Sequence, residues 1–331
     1  MRPTTIQGTH LPQPPAPRPH DGDPADRPAG PRTSSSGTSG TNARVIAREA
    51  SVAPTQGSGE RGPREGRATS RPPEALLADL GQWTTASLER AVAGASSVSV
   101  LFSGGLDSAL LAHLLRKLPA FEGGRGLELA TIGLAGSADL VQAASAAEAL
   151  GLKFHARTIT PEQVRAAARS VEETERTQPA QGQLVPPPPQ GMRLEVLTGL
   201  RLALEAAPTT RVLCGQGADE LFLGYAHFLP LRGERLELRY REDLAQLQGT
   251  DWPATQRIGA ALAKDLRAPY LDPELVRKLA AFPLESRRRG GVPKGLLREV
   301  ATSLGLPTEL AQRRKNALQY GSGIHSVLSR T

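Results

Sequence analysis

The chain has 331 residues, a net charge of +7, 4% aromatic residues and one cysteine, Cys214. A single cysteine excludes an intrachain disulfide and a cysteine-built zinc site. No apolar run approaches the ~18 residues of a membrane span, and no apolar leader opens the chain, so a cytoplasmic protein with no membrane partner is expected. The positive charge suits an anionic ligand, but so few aromatics give poor stacking platforms for nucleic acid, and arginine-rich composition accounts for the charge without it.

Residues 1–70 are rich in Pro, Gly, Ser, Thr and Arg and contain no Phe, Trp, Tyr or Lys. Such a stretch cannot bury enough apolar area to offset its ordering entropy. It is expected to be a disordered tail ahead of a domain spanning 72–331. Leu76, Leu77, Leu80, Trp83, Leu88 and Val92 have helical spacing and predict a helix over Glu74–Ala93. A strand over Val98–Phe102 and a helix from Ala109 follow. Then come a strand over Leu129–Leu134, a helix over Ala138–Leu150, a strand over Lys153–Ile159 and a helix over Pro161–Glu175, with Pro in its first turn. Gln178–Gln190 holds four consecutive prolines and reads as an extended surface loop. A helix over Met192–Ala206 and a strand over Arg211–Cys214 lead into a second helix-opening loop, with helix expected through Phe228. From about Gly233 to Thr331 no strand is evident. Strands alternating with helices predict an α/β fold, a parallel sheet with helices on both faces, followed by a C-terminal α-helical region. The run Arg287-Arg288-Arg289 reads as a solvated basic face, and His113 as packed on the apolar stripe of its helix.

Two loops carry the chemistry. Ser103-Gly104-Gly105-Leu106-Asp107-Ser108 sits between an apolar strand and a helix. Its glycines permit close backbone approach, and a helix N-terminus with small hydroxyl residues is an anion site. Asp107 fits beside phosphate only if a divalent cation joins them, since Mg²⁺ is commonly held by one or two carboxylates plus phosphate oxygens. No lysine closes this loop, so it is not the GxxxxGK[ST] phosphate loop. Gly215-Gln216-Gly217-Ala218-Asp219-Glu220 repeats the logic after another strand. Asp219 could pair with Asp107 on one Mg²⁺, or could simply cap the following helix. In open parallel sheets both loops would lie beyond the carboxyl ends of the strands, where ligands bind.

The chain resembles the synthetase domain of asparagine synthase, a branch of the PP-loop ATP pyrophosphatases with an adenine nucleotide alpha hydrolase-like fold. The resemblance covers about residues 75–325. It rests on Leu101–Ser108 (LFSGGLDS), Thr131–Leu140 (TIGLAGSADL), Val212–Tyr225 (VLCGQGADELFLGY), Arg267–Asp272 (RAPYLD), Lys294–Arg298 (KGLLR) and Arg314–Ser322 (RKNALQYGS). SGGLDS alone marks the superfamily, and the conjunction of blocks is far more specific. The resemblance implies amide synthesis through an acyl-adenylate, with release of AMP and pyrophosphate, from ATP, Mg²⁺, aspartate or another carboxylate, and ammonia. It implies that Ser103, Gly104, Gly105 and Ser108 cradle pyrophosphate, and that Asp107 and Asp219 hold Mg²⁺. Phe102, Ile132, Cys214 and Gly215 would line adenosine and ribose, partly through backbone, and Lys294 would neutralise charge in the adenylation transition state. Arg298, Lys315 and Arg267 are secondary candidates for anion contacts or structural pairs.

The chain departs from that family in two places. Arg2 stands where glutamine-dependent members carry a nucleophilic cysteine, so free ammonia, another amine or a separate glutaminase subunit is expected as the nitrogen source. Gln216 replaces a glutamate of the bacterial enzymes. An amide hydrogen-bonds but cannot take up a proton as a base, which leaves the amine open and shifts part of the role to Glu220. A related branch, the β-lactam synthetases, alters the same loop, so a synthetase for another carboxylate and amine competes with asparagine synthesis. A nucleotide-binding subunit without turnover is the reading from a different class, and intact Asp107, Asp219 and Lys294 weigh against it.

Overall fold

Alternation along one strand sets the architecture. Leu127 and Leu129 enter one apolar cluster, whereas Ala130 and Ile132 enter clusters on the opposite side. A strand buried on both faces belongs to a parallel sheet covered by helices. The computed structural model describes residues 73–177, 189–313 and 321–329. The tail 1–70, nearly all of the proline-rich stretch and Lys315 lie outside them.

In chain order the elements are α1 (Pro73–Val92), β1 (Val98–Leu101), α2 (Leu106–Leu115), β2 (Leu127–Leu134), α3 (Ala138–Leu150), β3 (Lys153–Ile159), α4 (Pro161–Thr177), α5 (Gly191–Ala206), β4 (Arg211–Leu213), α6 (Ala218–Leu221), α7 (Gly233–Gln246), α8 (Trp252–Ala261), β5 (Asp265–Arg267), α9 (Pro273–Ala280), α10 (Gly295–Ser303), α11 (Thr308–Ala311) and α12 (Ile324–Leu328). Among the described residues the strands form one sheet, ordered β3-β2-β1-β4-β5, with every pairing parallel. On one face α1, α2, α3, α9, α10 and α11 pack over Val98, Val100, Leu127 and Leu129. On the other, α4, α5 and α8 pack around Val212 and Leu266, and α12 adds Ile324 and Val327 beside Ile132. Helices therefore cover both faces, as the alternation of elements predicts. Among the described residues no helix is long and apolar enough to cross a membrane.

The structure corrects three expectations. First, the region after Gly233 contains a strand, β5, paired with β4 at the sheet edge. Its sequence is Asp-Leu-Arg, and three residues with one apolar side chain leave no periodicity to detect. Charge also suits an edge: Asp265 Oδ2 lies 2.7 Å from Arg211 Nε, and its Oδ1 2.7 Å from Arg267 Nε. Second, the helix expected through Phe228 stops at Leu221. Leu223 has φ +54°, and the Gly224 N–H donates to the Asp219 carbonyl at 2.7 Å, which turns the chain back over α6. Third, Arg287 is not solvated: it is 2% exposed. Its guanidinium donates to the carbonyls of Leu221 (3.2 Å), Leu279 (2.8 Å) and Phe282 (3.3 Å) and to the Tyr240 hydroxyl (3.1 Å), and lies 5.1 Å from the centre of the Tyr240 ring. Carbonyls at the ends of α6 and α9 have no intrahelical donor, and a fork of five N–H groups satisfies several at once.

The sheet order fixes where a ligand can bind. From β1 the chain winds outward through β2 to β3, then returns to the other side of β1 to form β4 and β5. The switch point lies between β1 and β4, and a crevice forms beyond the carboxyl ends of these two strands. The two glycine loops leave from those ends.

Candidate active site

The first loop is built around Gly104, at φ +69°, where a Cβ would press to 2.8 Å from the Gln142 carbonyl oxygen. Only glycine fits both the dihedral and the space. Gly105 is extended and precedes α2 with no side-chain cap, and an uncapped helix N-terminus is a type of site that suits an anion. The Ser108 hydroxyl donates to the Gly105 carbonyl at 3.3 Å, and the Gly105 N–H donates to Ser103 Oγ at 3.4 Å. In the second loop a Cβ on Gly215 would stand 3.0 Å from Asp107 Cβ, so the two loops touch there. Gly217, at φ +94°, occupies the N-cap position of α6. Asp219 lies inside the first turn, and the capping reading of this residue is set aside.

The structure brings Asp107, Asp219 and Lys294 together. Lys294 Nζ lies 2.6 Å from Asp107 Oδ2 and 2.8 Å from Asp219 Oδ1. Lys294 is 6% exposed and Asp107 5%, so neither is an ordinary surface charge. Lys294 holds a left-handed backbone (φ +57°, ψ +29°) at the N-cap of α10, a conformation that costs a lysine about 1–3 kcal/mol and that collects at functional positions. A Cβ on Gly224 would collide with Asp219 Oδ1 and Lys294 Cε, so the turn after α6 closes directly over the ion pair. Two carboxylates that converge on one cation match the donor set of Mg²⁺, which takes one or two carboxylates and fills its remaining positions with water and phosphate. Among the described residues no cluster of three or more acidic, histidine or cysteine side chains could cage a metal without a ligand's help.

Around this centre, Glu220 is buried, and its Oε1 accepts from the Tyr225 hydroxyl at 2.7 Å. Burial holds the Glu220 carboxyl above the usual glutamate range, and burial likewise raises the Tyr225 phenol, aided by the adjacent Glu220. Gln216 is half-buried in the second loop. Burial pushes the Cys214 thiol up to about 11, so it is no thiolate nucleophile. The Phe102, Ile132 and Cys214 side chains are buried in three separate apolar clusters.

Of the supporting residues, Tyr270 and Arg313 escaped the sequence reading, whereas Arg298 was a secondary candidate for an anion contact or a structural pair. Tyr270, in the RAPYLD block, donates to the Asp107 carbonyl at 3.1 Å. Arg313 donates to the carbonyls of Gln142 (3.1 Å) and Gly104 (3.4 Å), and Arg298 donates to those of Pro293, Ala311 and Arg313. These arginines are struts between the lysine segment and the first loop. Gly224 and Tyr225 close the VLCGQGADELFLGY block, which was the available signal for both. Arg267 is a structural partner of Asp265. The His113 imidazole is buried on its helix, as expected, with Nε2 3.1 Å from the Leu304 carbonyl oxygen, and burial lowers its pKa.

Comparison with known proteins places this geometry in a family. The asparagine synthase family profile matches residues 79–264 and 234–330, two overlapping segments. The chain is 27% identical over 277 residues to a putative glutamine-hydrolyzing asparagine synthetase of Methanocaldococcus jannaschii, covering 72% of this chain and 48% of that protein. It is 30% identical over 234 residues to the glutamine-hydrolyzing asparagine synthetase of Rattus norvegicus (70% and 40%) and 31% identical over 235 residues to that of Gallus gallus (70% and 40%). The chain thus spans less than half the length of these curated relatives. Among solved structures, NMN synthetase from Francisella tularensis aligns at TM-score 0.36 and 15% identity over 76% of this chain and 78% of that one. With the family profile covering most of its length, the chain belongs to the asparagine synthase family.

Proposed function

We propose that this protein is an ATP-dependent carbon–nitrogen ligase that activates a carboxylate as its acyl-adenylate and transfers the acyl group to ammonia, with aspartate as the acid. The observation that carries this reading is the convergence of the buried Asp107 and Lys294 with the half-buried Asp219 between two glycine loops at adjacent strand ends. In the first step a substrate carboxylate oxygen attacks the α-phosphorus of ATP, and the bond to the bridging oxygen of pyrophosphate breaks. In the second, the amine nitrogen attacks the acyl carbon, the bond to AMP breaks and a proton leaves the nitrogen.

The chain's residues fit these steps. Ser103, Gly104, Gly105 and Ser108 hold the pyrophosphate unit at the α2 N-terminus. Backbone at Phe102, Ile132, Cys214 and Gly215 borders the adenosine. Asp107 and Asp219 would hold Mg²⁺, which when bound offsets the charge of the phosphate oxygens. Lys294 supplies a positive charge where negative charge develops, and a preorganised donor of that kind contributes about 3 kcal/mol in a water-poor site. Glu220, oriented by Tyr225, and Gln216 serve the amine step, the carboxylate as proton acceptor and the amide as hydrogen-bonding partner. Ammonia arrives free or from a separate glutaminase subunit.

The test incubates the protein with Mg²⁺, ATP, aspartate and ammonium and follows AMP, pyrophosphate and asparagine by mass spectrometry, with glutamine as the alternative donor. AMP and asparagine in equal amounts are expected. Gln216 favours a second reading, a synthetase for a different acid and amine: AMP and pyrophosphate without asparagine would show that the amine differs, and AMP formed only with another carboxylate would show that the acid differs. Failure to form AMP with any carboxylate would refute both.

A further inference from the structure

Lys294 stands where a metal cation is needed. Its ammonium spans both carboxylates at 2.6 and 2.8 Å, and the surroundings hold it there. The backbone is fixed in the left-handed region at the N-cap of α10, Gly224 lies against Cε, and Arg298 Nε donates to the carbonyl of the preceding Pro293 at 3.1 Å. The competing divalent cation is poorly equipped to displace it alone. Among the described residues the site offers no third metal-ligating side chain, and Mg²⁺ sheds its water reluctantly and relies on phosphate oxygens to complete its shell.

We propose that Lys294 is a tethered counter-ion that closes the Asp107–Asp219 site to a free divalent cation, so that the cation enters only together with a nucleotide polyphosphate. The phosphate then offers the ammonium a new partner and the cation takes the carboxylates, one exchange of charge for another. A lysine suits this better than an arginine, because a compact ammonium on a flexible stem moves between oxygens without needing a planar fork. The inference rests on the reading of Asp107 and Asp219 as the metal ligands, and it makes cation entry dependent on nucleotide.

The test measures Mn²⁺ binding to the full chain by electron paramagnetic resonance, without nucleotide. The wild-type chain is expected to bind Mn²⁺ weakly and Lys294→Met at least about tenfold more tightly, equivalent to about 1.4 kcal/mol. Lys294→Arg, which keeps the charge, stays weak. Lys294→Met combined with Asp107→Asn loses the gain. Circular dichroism checks that each variant is folded. Equal affinity in the wild type and Lys294→Met overturns the inference, and so does a gain that survives loss of Asp107. Tight Mn²⁺ uptake by the wild type without nucleotide overturns it with no variant at all. The readout is independent of turnover. A chain that forms no AMP yet shows the expected Mn²⁺ pattern would refute the ligase reading and sustain this one.

Discussion

Asp107 and Asp219 share one ammonium but differ in surroundings, and that difference separates their expected phenotypes. The Asp107 side chain is 7% exposed and that of Asp219 26%. Replacing either with asparagine removes a charge from the proposed metal set, and each variant is expected to slow pyrophosphate release by about 100-fold or more, the scale of losing one preorganised electrostatic contact. Stability divides them: Asp107→Asn leaves a buried ammonium short of a partner and should lower the urea midpoint more than Asp219→Asn. Pyrophosphate release and urea titration on both variants check this, and undiminished release in both would remove them from the site. The two aspartates were legible in sequence because each follows a glycine turn at the start of a helix, and Lys294 because it opens the KGLLR block. Their mutual contact was not. The turn at Leu223–Gly224 closes over it, and the glycine marks that turn in the sequence without saying which side chains it brings together.

At the scale of elements, buried polar groups decide what short segments do. The four-residue α6 carries Asp219 and Glu220, and Arg287 ties its Leu221 carbonyl to the end of α9. Arg287→Met fills the space but removes the guanidinium donor from the buried Leu221 carbonyl and from the Phe282 carbonyl. A loss of about 3 kcal/mol in urea unfolding is expected, from breaking a buried charged network on one side; an unchanged midpoint would show the acceptors hydrated. A run of three arginines says nothing about how far each turns inward: Arg287 is buried and Arg288 donates to the carbonyls of Leu229 and Leu231, so this anchor was invisible in sequence. Asp272 stands before Pro273 as the N-cap of α9. Its Oδ1 accepts from the N–H groups of Glu274 (3.1 Å) and Leu275 (3.0 Å), and the Arg90 guanidinium is 2.6 Å away. The Arg90 hydrogen bond holds this carboxyl below the usual aspartate range. Its stabilisation is therefore complete above the ordinary aspartate pKa of about 4 and fades as the pH falls through the lower folded value. Asp272→Ala is expected to cost about 1–2 kcal/mol at pH 7 and progressively less below pH 4 or so, as denaturation of the pair across pH would record. A difference that does not shrink in acid would mean the carboxylate's charge is not what stabilises α9.

Across the whole molecule, the helix–strand alternation, and from it a parallel sheet with helices on both faces, was readable in the sequence, whereas the strand order was not, because periodicity marks an element and not its neighbour. That order makes the site non-local. Asp107 and Lys294 are separated by 187 positions, one on the loop after β1 and the other at α10, with Asp219 on the loop after β4. The three come from well-separated parts of the chain, so a ligand spanning them is expected to stabilise the fold as a whole. A ligand that binds only the native state at a hundred times its Kd adds about 2.7 kcal/mol. For a domain of this size, that corresponds to a rise of roughly 5–10 °C in melting temperature. Mg²⁺ with ATP is expected to raise the midpoint of the wild-type chain by that amount, and ATP with EDTA by much less. Asp107→Asn and Asp219→Asn, melted with and without Mg²⁺ and ATP, are expected to show little shift. A full shift in both variants would locate nucleotide binding away from the β1–β4 switch point, whatever activity the chain has.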